Sequence, residues 1–204
     1  MDAEGRVWSR TLDCITIGFR HVGDTYEQRQ AGFAVDSASR RAFVVGGDYT
    51  IAAVDLASRA VSYHGGSSRW LAKEVPGPMR WARSLGNDLI AVAGMDGLDR
   101  DGLRIVDTRD WSTRFVDSDS VNLTVASNVL LGSAPFCCPL KVAAYALDGT
   151  PRYAFELESG LSFWAARRYG YVCHGLSLVR VIDLASGATV STPHGSFCVT
   201  LLTQ

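Results

Sequence analysis

The chain has 204 residues, and its 20 lysines and arginines nearly balance its 21 aspartates and glutamates, which gives a formal net charge of −1. This balance provides no excess positive charge to attract nucleic acid or an anionic membrane, so neither is expected as a partner. A hydrophobic fraction of 47% with 20% charged residues is typical of a globular protein. We therefore expect one folded domain over residues 1–204.

Two kinds of targeting segment are missing from the sequence. No window approaches the roughly 20 apolar residues that a membrane-spanning helix needs. The first six residues, Met1 to Arg6, carry acids where a signal peptide has a basic segment followed by an apolar one. The location expected by default is the cytoplasm.

The cysteines form an odd set without paired C-x-x-C spacings, so the pattern favours neither a zinc site nor a disulfide framework. They are Cys14, Cys137, Cys138, Cys173 and Cys198. We expect free, mostly buried thiols, including a reduced pair at the two adjacent cysteines, because a bridge between neighbours would strain the peptide link.

Apolar stretches along the chain are short, rich in β-branched and aromatic residues, and closed by glycine. Arg41 to Gly47 and Leu89 to Gly94 are examples, and both patterns predict strands. Between them, Ser67 to Val75 has some helical character but ends at Pro76-Gly77-Pro78, which stops a helix. The sequence thus predicts an all-β protein.

One unit recurs in chain order: an apolar strand ending in Asp, a small polar turn, and a second strand. The recurring aspartates are Asp55, Asp107, Asp148 and Asp183, at separations of 52, 41 and 35 residues. Four-stranded blades of a β-propeller repeat at about 40 to 45 residues, as in WD40-like proteins. Because an Asp side chain accepts hydrogen bonds from nearby backbone N–H groups, we expect these aspartates to form turns and not to act as catalytic acids.

The segment from Phe33 to Gly47, followed by Thr50 to Val61, resembles a YVTN-type β-propeller repeat, with Phe43-Val44-Val45-Gly46 at the family's Tyr-Val-Thr-Asn. The same turn is similar to the repeat of quinoprotein-like propellers, although Arg59 and Ala60 replace that family's Gly-Lys. The resemblance covers about Gly32 to His194 and implies a propeller architecture. It implies no particular chemistry, because the quinone-binding and calcium-binding residues of the quinoprotein enzymes are not matched.

We therefore predict a β-propeller of about four full blades plus an incomplete closing blade. The full blades are expected at 32–65, 82–117, 122–157 and 161–194, with a connecting insertion at 66–81 and a closing blade from 5–22 and 195–204. The closing blade offers three strands where four are expected, drawn from Val7 to Leu12, Ile15 to Val22 and Phe197 to Leu202. Since an exposed blade edge favours association, we expect self-association there unless a partner covers it.

No residue is assigned from the sequence as catalytic, cofactor-binding or metal-binding, and no cofactor is expected. Asp96, Asp99 and Asp101 lie close together, but two carboxylates that an EF-hand requires are missing, so a hairpin loop is predicted. The four histidines, His21, His64, His174 and His194, show no close pairing, and no G-x-S-x-G motif is present. His64 and His194 are both expected to follow the fourth strand of their repeats, and this recurrence at one repeat position favours a structural role.

The leading functional hypothesis is a binding or scaffold module for an unidentified protein or small-molecule ligand. It follows from repeated blades that present loops at both ends, while no reactive group has an evident activator. The alternatives are a quinoprotein-like or lactonase-like propeller enzyme, or a segment of a longer propeller protein.

Overall fold

The computed structural model describes residues 12, 19–22, 25–28, 32–46, 49–65, 79–96, 99–134, 140–158, 161–175 and 177–191. Every regular element in these ranges is a β-strand, which confirms the all-β class. A search of the same residues finds no helix with the length and apolar character needed to span a bilayer.

Of the eighteen strands in the described residues, sixteen form four antiparallel sheets of four strands each, and within a sheet the strands follow chain order. The first sheet comprises β3 (Gly32–Asp36), β4 (Arg41–Val45), β5 (Thr50–Asp55) and β6 (Val61–Gly65). The second comprises β7 (Met79–Gly86), β8 (Leu89–Asp96), β9 (Asp99–Asp107) and β10 (Thr113–Asp117). The third comprises β11 (Asn122–Ala126), β12 (Val129–Ser133), β13 (Leu140–Tyr145) and β14 (Pro151–Leu157). The fourth comprises β15 (Leu161–Ala166), β16 (Tyr169–His174), β17 (Ser177–Asp183) and β18 (Thr189–Ser191).

Two further strands precede these sheets. β1 (Phe19–Val22) and β2 (Thr25–Gln28) pair as an antiparallel hairpin. β1 lies in the segment expected to supply a strand of the closing blade, whereas β2 was not expected. The predicted strands at 7–12 and 197–202 lie outside the described residues, apart from residue 12, so closure of the ring stays a prediction.

The four-sheet arrangement confirms the expected number of full blades. The second sheet begins at Met79, three residues before its expected start, because a strand can begin immediately after Pro78 even though a proline stops one running through it. The last strand ends at Ser191, and 192–194 lie outside the described residues.

The core lies between successive sheets, and alternation along the strands explains how it forms. In β3, buried residues alternate with exposed ones, so that Ala34 faces the second sheet. The middle strands of the second and third sheets are apolar on both faces because each of these two sheets has a neighbour on either side. The repeat places Val54, Val106 and Ile182 one residue before their turn aspartates and Tyr145 three residues before its own, which predicts that they lie in this core. All four are buried, in agreement with the repeat register.

The first strands of successive sheets lie next to one another: β3 contacts β7, β7 contacts β11, and β11 contacts β15. Only residues 118–121 and 158–160 separate the second sheet from the third and the third from the fourth. Because the four strands of a sheet are antiparallel, the fourth strand ends on the side where the first began. The short connection there leads directly into the next sheet. The tight turns therefore lie on one side, here called the turn face. The links between second and third strands and between sheets lie on the other side, the loop face.

Candidate functional site

The recurring aspartates lie on the turn face: Asp55, Asp107 and Asp183 end the third strands of their sheets, and Asp148 follows the end of β13 by three residues. Each accepts a hydrogen bond from the backbone N–H two residues later at 2.9–3.0 Å: Asp55 from Ala57, Asp107 from Arg109, Asp148 from Thr150 and Asp183 from Ala185. The expected turn-forming role is thus confirmed. The pKa of all four carboxyls lies below the usual value because these groups accept hydrogen bonds as anions.

Ion pairs on the turn face are also structural. Arg168 Nε lies 2.7 Å from Asp183 Oδ2 within the fourth sheet. Arg41 of the first sheet reaches the second sheet, where its Nη2 lies 2.5 Å from Asp88 Oδ1 and 2.9 Å from Thr108 Oγ1. These charged groups already form ion pairs and hydrogen bonds with one another, so we place no ligand site among them.

His64 likewise has a structural setting. Its ring stacks on Trp111 of the second sheet with centroids 3.5 Å apart, and its Nε2 lies 2.8 Å from Ser62 Oγ. Burial, together with the nearby charge of Arg41, lowers the pKa of His64. His64 lies within β6 and not after it. Its stack on Trp111 therefore links the first sheet to the turn between β9 and β10 of the second sheet.

A second polar group lies between the second and third sheets. The Tyr145 hydroxyl donates to Asp117 Oδ2, while Asp117 Oδ1 accepts the backbone N–H groups of Asp119 and Ser120 at 2.6 Å. The pKa of Tyr145 is raised by burial and by its hydrogen bond to Asp117. The adjoining cavity holds only about 50 Å³. These bonds fix the connection at 118–121, and a tyrosine with a raised pKa is a poor base at neutral pH.

A much larger cavity of about 550 Å³ lies at the boundary between the third and fourth sheets, on the loop face. We call it the interblade pocket. Its lining residues come from the end of β14, the start of β15, the end of β16 and the start of β17: Glu156, Glu158, Leu161, Val172, His174, Val179 and Arg180. Antiparallel pairing brings these strand ends together although they are distant in sequence.

Strand register combines apolar and charged groups in this pocket. Leu161 pairs with His174 across β15 and β16, and Val172 pairs with Arg180 across β16 and β17. Val172 is buried and forms part of the core beneath the pocket, whereas Val179 is 36% exposed. The pocket therefore has an apolar lining with charged groups beside it, a combination common in ligand sites.

The four titratable groups of the pocket are unpaired in the described part of the chain. Glu156, Glu158, His174 and Arg180 make neither a side-chain hydrogen bond nor an ion pair there. On the turn face, by contrast, Arg41, Arg109 and Arg168 each have an aspartate partner. The residues that line the pocket thus include charged side chains that have no partner in the described part of the chain.

Sequence reasoning did not single out the pocket acids or Arg180. It named His174 only as one of four unpaired histidines. The signal it lacked is three-dimensional, because the third sheet's last strand must lie beside the fourth sheet before these residues share a cavity.

Other sequence candidates have the following outcomes. Asp96 pairs with Asp99 as the end of the β8–β9 hairpin, which confirms the predicted hairpin, and the three acid side chains there lie outside the described part. The same holds for the His21 side chain, and His194 and the two adjacent cysteines also lie outside. Among the described residues, no three His, Cys, Asp or Glu side chains form a group that could hold a metal ion.

The expectation of free thiols is wrong for Cys173. This residue is 1% exposed and disulfide-bonded, and its partner lies outside the described residues. Chain spacing alone could not reveal the bond, because a disulfide depends on Cα atoms coming within about 7 Å in the folded state.

Comparison with known proteins places this architecture among solved folds. The N-terminal domain of Nup159 matches with a TM-score of 0.53 and 14% identity, over 83% of this chain and 45% of that one. The fold is β-propeller-like. The computationally designed Ika8 protein matches with a TM-score of 0.52 and 11% identity, over 84% of this chain and 51% of that one. The dihydro-heme d1 dehydrogenase NirN matches with a TM-score of 0.50 and 18% identity, over 81% of this chain and 37% of that one.

These identities are low, so the likeness concerns the fold alone. The chain spans about a third to a half of the length of these solved structures. No protein-family model matches the chain, and no curated protein matches it. The YVTN, WD40 and quinoprotein-like resemblances therefore stay predictions.

Proposed function

We propose that this chain is a propeller-type binding or scaffold module that takes its ligand in the interblade pocket. The observation that carries the proposal is the set of four unpaired charged or titratable side chains around a cavity of about 550 Å³. Cavities of about 300 to 1,000 Å³ are typical of small-ligand sites. An unpaired charge is available to a ligand, whereas a paired one must first break its own ion pair.

The same geometry favours binding over catalysis. In sites of nucleophilic catalysis, a nucleophile and its base are within hydrogen-bond reach, and a third group orients the base. Within the described part of the chain, none of the four pocket groups holds another in this way. The pocket therefore offers recognition groups without an evident activator.

A test of this function maps ligand contacts on the full chain. Backbone amide chemical shifts are measured while small neutral, cationic, anionic and zwitterionic compounds are added. We expect shifts to concentrate at residues 156–161 and 172–180. A Val179→Trp variant should fill the pocket and abolish these shifts, because Val179 lines it and is part-exposed. Val190→Trp is the matched control, since Val190 is also an exposed valine but lies outside the pocket. Shifts that never reach the pocket, or that survive in the Val179→Trp variant, would contradict the proposal.

An independent observation favours a scaffold role through self-association. Phe33 and Val35 are 56% and 43% exposed on the side of β3 turned away from the second sheet, because the alternating Ala34 faces that sheet. Trp164 is 50% exposed and points away from the third sheet, since the adjacent Phe163 packs against it. We propose that a second copy covers these apolar faces. Light scattering after size exclusion should show a dimer that Trp164→Glu disrupts, and a monomer at high concentration would contradict this.

A further inference from the structure

Strand register decides which side chains of the third sheet face the interblade pocket. Leu157 is buried and packs with Val172 of the fourth sheet, so this side of β14 is turned towards the pocket. Glu156 is the neighbouring residue and therefore points to the opposite side. Its cross-strand partner there, Lys141, has its ammonium 3.7 Å from Asp119 Oδ2, at the boundary with the second sheet. The Glu156 carboxylate is thus excluded as a group that faces a ligand.

The fourth sheet turns two nitrogen-bearing side chains towards the same pocket. Val172 faces the third sheet, and His174 lies two residues further along β16, on the same face. Leu161 pairs with His174 across β15 and β16. Arg180 pairs with Val172 across β16 and β17, and directly paired residues share a face. This face therefore presents a guanidinium and an imidazole beside two apolar side chains.

An irregularity in β17 adds a third apolar side chain beside the guanidinium. Leu178 pairs with Cys173, and the next pair along the strands is Arg180 with Val172. Val179 is therefore an extra residue of β17, which is the pattern of a β-bulge. Regular alternation would turn one of two successive side chains away, whereas Val179 and Arg180 both line the pocket. The bulge thus places an apolar group next to a cation, in the way that bulges re-aim side chains beside active sites.

The charge that these side chains direct into the pocket is positive. Arg180 is permanently charged and makes no hydrogen bond or ion pair in the described part of the chain. It is half-buried, so water screens its charge less than that of Glu158, which is exposed and follows the end of β14. An imidazole at His174 offers an N–H donor even when it is neutral. The pocket therefore favours a ligand that carries a negative charge.

A carboxylate matches these groups in charge and in shape. One permanent cation balances one negative charge, and the planar guanidinium fork can donate two parallel hydrogen bonds to a carboxylate. Resting on the proposed function, we infer that the interblade pocket binds a small monocarboxylate with an apolar body. Its carboxylate accepts hydrogen bonds from Arg180 and His174. Its apolar body lies against Leu161, Val172 and Val179, which line the same cavity.

The test titrates the full chain with hexanoate and follows the amide shifts of the pocket. Hexanamide has nearly the same shape without the charge, and it should bind about tenfold more weakly, as expected for loss of a hydrogen bond to a charged group. Acetate keeps the charge without the chain, and it should also bind at least about tenfold more weakly, because each buried CH₂ group contributes about fourfold. Equal binding of hexanoate and either of these compounds would overturn the inference.

Two further probes separate a monocarboxylate from other charged ligands. Hexyl phosphate brings up to two negative charges to one permanent cation, and ω-aminohexanoate adds an ammonium group at the far end of the chain. Both should bind more weakly than hexanoate, because a second charge must leave water without an assigned partner in the pocket. Tighter binding of either probe than of hexanoate would replace the monocarboxylate by a phosphate or a zwitterion.

Matched protein variants locate the contact. Arg180→Gln should weaken binding of hexanoate about tenfold and leave binding of hexanamide nearly unchanged, because only the carboxylate uses the guanidinium charge. Arg152→Gln removes the same charge from an exposed position of β14 outside the pocket, and it should bind hexanoate as the unmodified chain does. Equal losses in the two variants would show that only long-range charge matters and would overturn the inference. Circular dichroism confirms that each variant is folded, and the compound series on the unmodified chain decides the question if one is not.

The two proposals fail in different ways. If other compounds shift the pocket amides but hexanoate binds no better than hexanamide, the ligand is not a carboxylate while the binding function stands. If neither hexanoate nor any compound of the wider set shifts the pocket amides, both proposals are wrong.

Discussion

Gly102 and Gly86 allow a backbone clash to be separated from backbone strain. Both have left-handed conformations, with φ of +75° and +74°. A Cβ on Gly102 would lie 2.1 Å from the carbonyl oxygen of Asp117 and 3.0 Å from the Cα of Ser118. A Cβ on Gly86 would meet nothing within 4 Å. Replacing each by alanine therefore adds the same group at the same φ but in different surroundings.

The expected losses of unfolding free energy follow from these contacts. A left-handed conformation costs a non-glycine residue about 1 to 2 kcal/mol, and this strain is the same in both variants. Gly102→Ala must also move backbone atoms of β10 and the start of the next connection, because no flexible side chain can give way. Overpacking of this kind typically costs a further 1 to 3 kcal/mol or so. We expect about 1 to 2 kcal/mol for Gly86→Ala and about 2 to 5 kcal/mol for Gly102→Ala.

Urea unfolding of both variants, followed by tryptophan fluorescence and far-ultraviolet circular dichroism, measures this difference. The midpoint should fall further for Gly102→Ala, and the m-value should stay constant. Equal midpoints in the two variants would refute the close approach of β9 to the Asp117 carbonyl. Equal midpoints would mean that the whole loss of unfolding free energy comes from the left-handed backbone conformation.

Two further predictions concern reduction and acid. Reduction should lower the free energy of unfolding by about 2 to 4 kcal/mol because Cys173 is disulfide-bonded. Thermal unfolding with and without a strong reductant measures this loss, and coincident unfolding curves would contradict it. The pKa of Asp107 is lowered to about 2, mainly by the Arg109 side chain, so its contribution to stability is complete above the unfolded-state value near 3.8 and is lost as the pH falls towards 2. Asp107→Asn should therefore be less stable than the unmodified chain at neutral pH, and the difference should narrow as the pH falls from about 4 through 2. A constant difference across that range would count against the assigned charge effect.

The repeat could be predicted from sequence because the forces that form it are local. An aspartate that accepts the N–H two residues later sets its turn within one short segment, so the turn can be recognised wherever the segment recurs. For the same reason, the repeat can be recognised even where another residue takes the place of the glycine in the turn. Arg59, Trp111 and Gly187 each follow their aspartate by four residues and have φ of 63°, 63° and 76°. Each donates its N–H to that aspartate's carbonyl at 2.8 Å.

Sequence reasoning missed the features that depend on how two sheets meet. The pocket joins the end of β14 to the start of β15 and to β16 and β17. The stack of His64 on Trp111 also crosses from one sheet to the next. None of these contacts leaves a periodic pattern, because each occurs at a single boundary and requires its own side chains.

The turn face and the loop face consequently differ in how they can tolerate substitution. On the turn face, aspartates close the turns, and arginines such as Arg41 and Arg168 pair with acids, so a change there removes a partner from a group that needs one. In the interblade pocket the charged groups have no partner among the described residues, so removing one leaves no orphaned ion. A structural explanation of Glu156, Glu158 or Arg180 would require their neutral variants to lose stability. Recognition of a ligand requires only that binding change while the unfolding midpoint stays the same. Measuring both quantities in these variants therefore tests our proposal that the pocket, and not the turn face, is the ligand site.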